Sequence, residues 1–489
     1  MRILLVQPDQ ELTRGLQHAA RVEPLGLEAV AGAVRDRHEV FLLDLRVMPD
    51  ALPETMAGFQ PDMLGISSTF TVDTYQALKI AQFAKEADPR IFVFVGGHHP
   101  TLRPGDFCHG AVDAIVLGEG EFTSRELADC LDAADDPIRV PGLMLNRPEG
   151  QYSTFPRSPA KDLDLLPKPD RALSRAYRSD YYMFFTSPIA SLEAARGCPY
   201  CCRFCSVWRF YQKRVRFKSP RRIVEELAGI SDPYVFFTDD NFLSASGRAD
   251  ETARLIRRMG IRKGYIIQAR SDAIVRHADT ITRWREIGLD CVFVGFEKTD
   301  QAGLEGVDKH NSVENNQKAL EVLRRQGIEP TVSFIVDPAW NHRDFAALGA
   351  YVRRWRLRRA LFSVLTPLPG TVLFEEVRGR LTTANYELFD LFHAVLPTRL
   401  PLREFYGEIA QLWRRAYPTW RLLLLRLYLF ACRLLSRGPR RRLGLKMLAE
   451  AVRVADGNAY LEHWSRLHHS AHWETTGCCP DESRNVCEL

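Results

Sequence analysis

Over its first 140 residues the chain alternates short apolar runs, at 3–6, 40–43, 63–67, 91–95 and 114–117, with helix-forming stretches at 25–35 and 74–85. Apolar runs of four or five residues between helices mark a parallel sheet covered on both faces. The pattern predicts an α/β, doubly wound, flavodoxin-like domain over residues 1–140. In such sheets a ligand sits beyond the carboxyl ends of the strands. Those ends read Gln7-Pro8, Ser67-Ser68-Thr69, Gly96-Gly97-His98-His99 and Gly118-Glu119-Gly120-Glu121. They are small or polar where a backbone must approach a ligand closely.

A second alternation follows a stretch rich in proline and acidic residues, which predicts a linker over 141–186. Strands are expected at 191–195, 234–238, 265–269, 291–296, 329–335 and 361–365. Helices are expected at 220–229, 249–259, 278–288, 313–326 and 344–355. Six strand-then-helix units predict a partial (β/α)6 barrel over 187–380, whose site lies where the loops after the strands converge. Residues 381–470 read as a helical, basic region, and 471–489 as a loose tail.

Composition narrows the class. At 489 residues the chain exceeds one ordinary core, and 46% hydrophobic with 26% charged content is globular. Eleven cysteines, odd in number and clustered, behind a first strand with no leader pattern, predict a reducing cytoplasm. No apolar run approaches the ~20 residues of a membrane span.

The chemistry concentrates at Arg196-Gly197-Cys198-Pro199-Tyr200-Cys201-Cys202-Arg203-Phe204-Cys205. Cys198, Cys202 and Cys205 form a CxxxCxxC triplet, with Cys201 out of step. Three thiolates can hold three irons of a 4Fe-4S cluster and leave the fourth open to a ligand, whereas a closed cluster takes a fourth cysteine. Structural zinc takes four ligands, usually in two pairs, and no second pair stands nearby.

This triplet resembles the radical S-adenosylmethionine (SAM) superfamily, in which SAM chelates the open iron. The segments Pro24-Leu25-Gly26-Leu27, Gly65-Ile66-Ser67-Ser68-Thr69, Gly96-Gly97-His98 and Gly118-Glu119-Gly120-Glu121 together resemble the cobalamin-binding domain that precedes many such barrels. In that order, with a helical tail, the chain is similar to the class B radical SAM methylases, and within them to the hopanoid C-3 methylating branch. The resemblance implies a 4Fe-4S cluster, SAM and cobalamin as cofactors. It implies Ser67, Ser68, Thr69, Gly96, Gly97, His98, Gly118 and Glu119 around cobalamin, and Asp239, Asp240, Gln268, Arg270 and Glu297 around SAM. Thr238-Asp239-Asp240 stands where the family carries a "GGE"-like loop, and a carboxylate still accepts from an amino group. Two departures stand out. The stretch Asp9 to Gly15 has no histidine where mutases and methionine synthases carry DxHxxG, so no lower axial cobalt ligand is expected there, and His98 and His99 are expected as polar lining. Ser333-Phe334-Ile335-Val336-Asp337-Pro338 departs from the glycine-rich ending that contacts adenine.

The implied reaction uses one SAM, reduced at the cluster, to remove hydrogen from an unactivated carbon, which then takes a methyl group from methylcobalamin. Cofactors carry the hard step, and no Ser/His/Asp or paired-carboxylate signal names a catalytic side chain. The expected partners are a small lipid substrate and an electron donor such as flavodoxin or ferredoxin. The same cofactors in an oxidative cyclase of the magnesium-protoporphyrin ester type, or a non-catalytic cobalamin sensor, are the alternatives.

Between Gln411 and Ala449 stand ten Lys plus Arg and no Asp or Glu, against a net charge of +5 for the whole chain. Arg421, Arg426 and Arg440-Arg441-Arg442 interleave with Trp420, Tyr428 and leucines. Such a mixture fits an interfacial helix on the inner face of an anionic membrane, and equally leucines packed on the barrel with solvated arginines. No nucleic-acid partner is expected, because the leucine runs are too apolar and no RRM, KH or OB signature appears.

Overall fold

The computed structural model describes residues 1–9, 20–184, 186–417 and 456–468. Strands β1 (Arg2–Gln7), β2 (Ala20–Arg21), β3 (Glu39–Asp44), β4 (Met63–Ser67), β5 (Phe92–Gly96), β6 (Ala114–Val116), β7 (Leu143–Arg147) and β8 (Gly150–Ser153) come from the first third of the chain. All except β2 join one sheet of order β3-β1-β4-β5-β6-β7-β8, parallel through β6. The order turns back at β1, so the crevice for a ligand opens where β1 and β4 end. The central strands bury both faces: Ile3 and Leu5, with Val40 and Leu42 of β3, face one helix layer, and Leu4, Val6, Leu64 and Ile66 face the other. The flavodoxin-like expectation is borne out.

The linker expected over 141–186 does not begin there. Residues 143–153 form an antiparallel hairpin hydrogen-bonded to β6, because Leu143 and Leu145 complete the apolar layer of the first sheet. The chain then returns along the first domain as β9 (Tyr182–Met183), paired with β2.

Strand β10 (Ile189–Leu192) opens the second unit, and the small hairpin of β11 (Ala195–Arg196) and β12 (Arg216–Phe217) brackets the cysteine loop. Strands β13 (Tyr234–Phe237), β14 (Gly264–Gln268), β15 (Leu289–Glu297), β16 (Thr331–Val336) and β17 (Ala360–Val364) follow. With β10 they form an all-parallel sheet in sequence order, the expected partial barrel. The helices between them start at polar caps. Ser219, Ser312 and Asn341 accept backbone N–H groups at the heads of Pro220–Ala228, Val313–Arg325 and His342–Arg354. Trp284, packed edge-on to Phe237, Phe242 and Tyr265, fills the core between sheet and helices.

The region from residue 381 is less helical than its sequence suggests. Apart from one 3-10 turn at Tyr386–Leu388, residues 381–401 are irregular, and they pack Leu388, Phe389 and Val395 with Leu467. The helix Leu402–Ala416 covers the barrel, and the helix Gly457–His468 stacks Tyr460 on Tyr406 at 5.4 Å. Most of the basic segment 411–449 lies outside the described residues, and among those described no helix is long and apolar enough to cross a membrane.

Candidate cofactor sites between the two sheets

A cavity of about 350 Å³ lies where the carboxyl edge of the first sheet faces the cysteine hairpin. Ser67, Thr69, Gly96, Gly97, His98, Gly118 and Glu119 line it, as the sequence suggests. Ser68 does not. Its side chain is fully buried, and only its backbone serves the crevice, donating to the Gly96 carbonyl and accepting from the His99 N–H. Gly97 holds φ +122 with its Cα against that turn, and a Cβ there would sit 2.9 Å from the Ser68 carbonyl oxygen. Only glycine keeps the wall this close. The hydroxyl of Ser124, also on the wall, has no hydrogen-bond partner among the described residues.

The far wall comes from the barrel side: Glu193, Arg196, Phe210, Tyr211, Lys218 and Thr238. Sequence reasoning assigned a role to none of these except Thr238. Their signal was opposite charge, Arg196 beside the cysteines and Glu119 with Glu121 on a distant loop. One sequence does not say that the two meet. Arg196 donates to Glu121 and Glu193 and lies 3.2 Å from Glu119, which also accepts from Arg216. Burial opposes the charge on Arg196, but Glu193, Glu121 and Glu119 outweigh it and raise its pKa well above the ordinary value. His98 donates or accepts at the Ser206 hydroxyl, 2.7 Å away, and stacks on Phe210. Burial, and next His99, push its pKa down to about 4, so the imidazole is neutral.

Cys198, Cys202 and Cys205 lie on the loop between β11 and β12, with a turn closed by the Cys205 N–H on the Cys202 carbonyl. Burial raises all three thiols, Cys205 to about 12. A bound cation displaces the protons of such thiols to water or a base and holds the resulting thiolates. The barrel fixes the middle of the loop. The Arg270 guanidinium lies 3.5 Å over the Tyr200 ring, and Tyr200 donates to Asp272, which also takes Arg270. A second Arg270 nitrogen donates to the carbonyls of Lys309 and His310. Gly197, at φ +95, packs so tightly that a Cβ would meet the Arg214 carbonyl at 2.2 Å.

Asp239 and Asp240 follow β13 and face different ways. Asp239 is buried, and its Oδ1 accepts the N–H groups of Ala194 and Ala195; burial raises its pKa to about 6. Asp240 is exposed as a residue, while desolvation of its carboxyl, and next Asp239, raise its pKa to about 7. Gln268 ends β14, half-buried. Glu297 ends β15 in the left-handed region at φ +63, with its carboxylate 2.7 Å from the Lys309 ammonium. These five residues stand on the barrel's strand ends, apart from the first cavity.

The B12 binding domain family matches residues 15–128, and the Radical SAM superfamily matches residues 192–348. The hopanoid C-3 methylase of Methylococcus capsulatus is 35% identical over 399 residues, 80% of this chain and 76% of that protein. The chain belongs to the B12-binding radical SAM methyltransferases. Less similar to this methyltransferase is the anaerobic magnesium-protoporphyrin IX monomethyl ester cyclase of Rubrivivax gelatinosus, 26% identical over 85% of this chain and 77% of that one. In fold it resembles the cobalamin-dependent radical enzyme OxsB, with TM-score 0.68 and 16% identity over 95% of this chain and 75% of that one. It also resembles TsrM of Kitasatospora setae, with TM-score 0.66 and 19% identity over 86% and 89%. Enzymes of this family work with cobalamin, SAM and a 4Fe-4S cluster. The residues fit them. Three thiols on one loop, Cys202 buried and Cys198 and Cys205 half-buried, suit a cluster with an open iron, and a glycine-walled crevice with an unpartnered hydroxyl suits a large polar cofactor.

Proposed function

We propose that the chain methylates an unactivated carbon of a polycyclic lipid, at C-3 of a hopanoid. The observation that carries this reading is the 35% identity, over four-fifths of the chain, to a relative of that name. In this reading Cys198, Cys202 and Cys205 ligate the cluster. Asp240 accepts from the amino group of SAM, since it alone of the Asp239-Asp240 pair is exposed. Arg270 acts through Tyr200, as a positioning residue that holds the cysteine loop on the barrel, rather than by touching SAM. Ser67, Thr69, Gly96, Gly97, Gly118 and Glu119 hold cobalamin. His98 lines that site without ligating cobalt, because its Nε2 already serves Ser206. When bound, the cluster and SAM supply the one-electron chemistry that removes hydrogen, and cobalamin supplies the methyl group. The chain excludes water, orients the substrate and keeps the two cofactor sites apart. A flavodoxin or ferredoxin supplies the electron, and the basic segment 411–449 brings the enzyme to the inner face of the membrane.

The test is expression, under anaerobic conditions, in a bacterium that makes hopanoids without methylating C-3. Lipid extracts should show hopanoids heavier by one CH2, with label carried from the S-methyl group of methionine. A hydrocarbon pool unchanged in mass, from cells with intact cluster and cobalamin in the protein, overturns the lipid substrate. Oxidation or ring closure of a porphyrin ester in the same cells would favour the cyclase chemistry instead.

A further inference from the structure

The cysteine loop is shared between the two halves of the molecule, and its attachments divide unevenly. Its middle belongs to the barrel. Tyr200 is held by Arg270 and Asp272, the Arg203 N–H donates to the Val307 carbonyl, and the Leu373 N–H donates to the Arg203 carbonyl. Its two ends reach the first sheet. On the N-terminal side Arg196, two residues before Cys198, is 8% exposed and meets Glu119 and Glu121, which flank Gly120 at the head of the helix Gly120–Asp132. On the C-terminal side Ser206, directly after Cys205, bonds His98.

We infer that the loops of the first sheet that line the cobalamin cavity also brace the cysteine loop at both ends, and so set the spacing between the two cofactor sites. The inference rests on the assignment of cobalamin to the cavity and the cluster to the three cysteines. The forces are of the right kind. A guanidinium with so little exposure is costly to bury unless paired, and removing one member of such a group leaves a charge that cannot be tolerated in place. The fork of Arg196 spans Glu121, Glu119 and Glu193 at once, so it fixes direction as well as distance. Little slack separates it from Cys198, because Gly197 is wedged against the Arg214 carbonyl. At the other end the His98 ring is stacked on Phe210, 4.5 Å between centres and 16° from parallel, so the imidazole that holds Ser206 is itself fixed. A cofactor seated against Gly97, His98, Gly118 and Glu119 therefore presses on the residues that hold both ends of the cluster loop.

The experiment uses the full chain, reconstituted anaerobically with cluster and cob(II)alamin, then reduced so that both centres are paramagnetic. Pulsed EPR reads the magnetic interaction between them. The wild-type protein should give one narrow spacing. Arg196→Gln combined with Ser206→Ala, at unchanged iron and cobalamin content, should shift or broaden it. Ser206→Ala alone removes one oxygen and leaves the ion pairs, so it covers the case in which the double variant fails to load, and it should broaden the spacing to a lesser degree. Ser206→Thr, which keeps the hydroxyl, should restore it. Glu376→Gln, which cuts a solvent-exposed tie between Arg203 and the barrel, should leave it narrow. A wild-type spacing in fully loaded Ser206→Ala or in the double variant overturns the brace. Failure of the wild-type chain to take up cobalamin or iron overturns the cofactor assignment instead, and the brace with it.

Discussion

At the scale of the residue, the cysteine triplet and the acidic pair give the sharpest tests. Cys198→Ala, Cys202→Ala and Cys205→Ala should each abolish the visible absorbance of the cluster and SAM cleavage, because a cluster held by two thiolates is not retained. Cys201→Ala should keep both, and equal loss in all four variants would mean the ligand set is misplaced. The two aspartates should separate by readout. Asp240→Asn should weaken SAM binding by about 10- to 100-fold, the worth of one charge-assisted hydrogen bond, with the thermal midpoint unchanged. Asp239→Ala should do the reverse, lowering the midpoint, because it strands the buried N–H groups of Ala194 and Ala195 at about 1–3 kcal/mol each. Calorimetry beside a SAM titration checks the pair. The triplet stands out by its spacing alone, but the contrast between a buried Asp239 and an exposed Asp240 does not, since it depends on how the chain leaves β13. The same limit applies to Arg270, which the family resemblance places around SAM and which here lies over the Tyr200 ring.

At the scale of the element, the terminal helix Gly457–His468 is held by a buried chain of groups. The Asp390 carboxylate accepts the N–H groups of Phe392 and His393 and the Nδ1 of His393, whose Nε2 faces the Nδ1 of His463 at 3.3 Å. Burial pushes the Asp390 pKa up, but the His393 imidazole and these hydrogen bonds prevail and leave it below the ordinary carboxyl value. A carboxyl depressed in the folded state contributes stability above its unfolded pKa, about 3.9, and loses it as pH falls through the folded value. Hydrogen exchange should show residues 457–468 protected at neutral pH and released in acid. Asp390→Asn should remove about 1.5–3 kcal/mol at neutral pH, a roughly 10- to 100-fold faster exchange of that helix, and should flatten the acid dependence. An unchanged exchange rate in the variant would show that the helix is held elsewhere. Strands and helices of the two sheets were readable because period and burial agree along them. The irregular stretch 381–401 was not, since its apolar residues pack on a helix some 70 positions later in the chain, and the hairpin 143–153 was hidden by the prolines around it.

At the scale of the whole molecule, the two cofactor sites lie on facing edges of two sheets. The order of domains in the sequence implied that neighbourhood, but not the ion pairs that join Glu119 and Glu121 to Arg196 across it. In the proposed reading a polycyclic lipid comes to the enzyme from a membrane, and charge suggests the route. Outside residues 411–449 the chain carries a formal charge of about −5, the total of +5 less the ten basic residues there, so that segment holds the densest excess of positive charge for an anionic surface. Each arginine near such a surface contributes ~1 kcal/mol, and the effect falls off within a Debye length. Binding to anionic liposomes should therefore be strong at low salt and weaken as salt rises. It should largely disappear when Arg421, Arg426, Arg440, Arg441 and Arg442 are replaced together by glutamine, while zwitterionic liposomes bind neither protein. Sedimentation of the full chain with liposomes across a salt series reads this directly. A wild-type protein that ignores anionic liposomes at low salt would remove the segment from the route of the lipid, and the substrate would then have to be delivered to the cavity by another carrier.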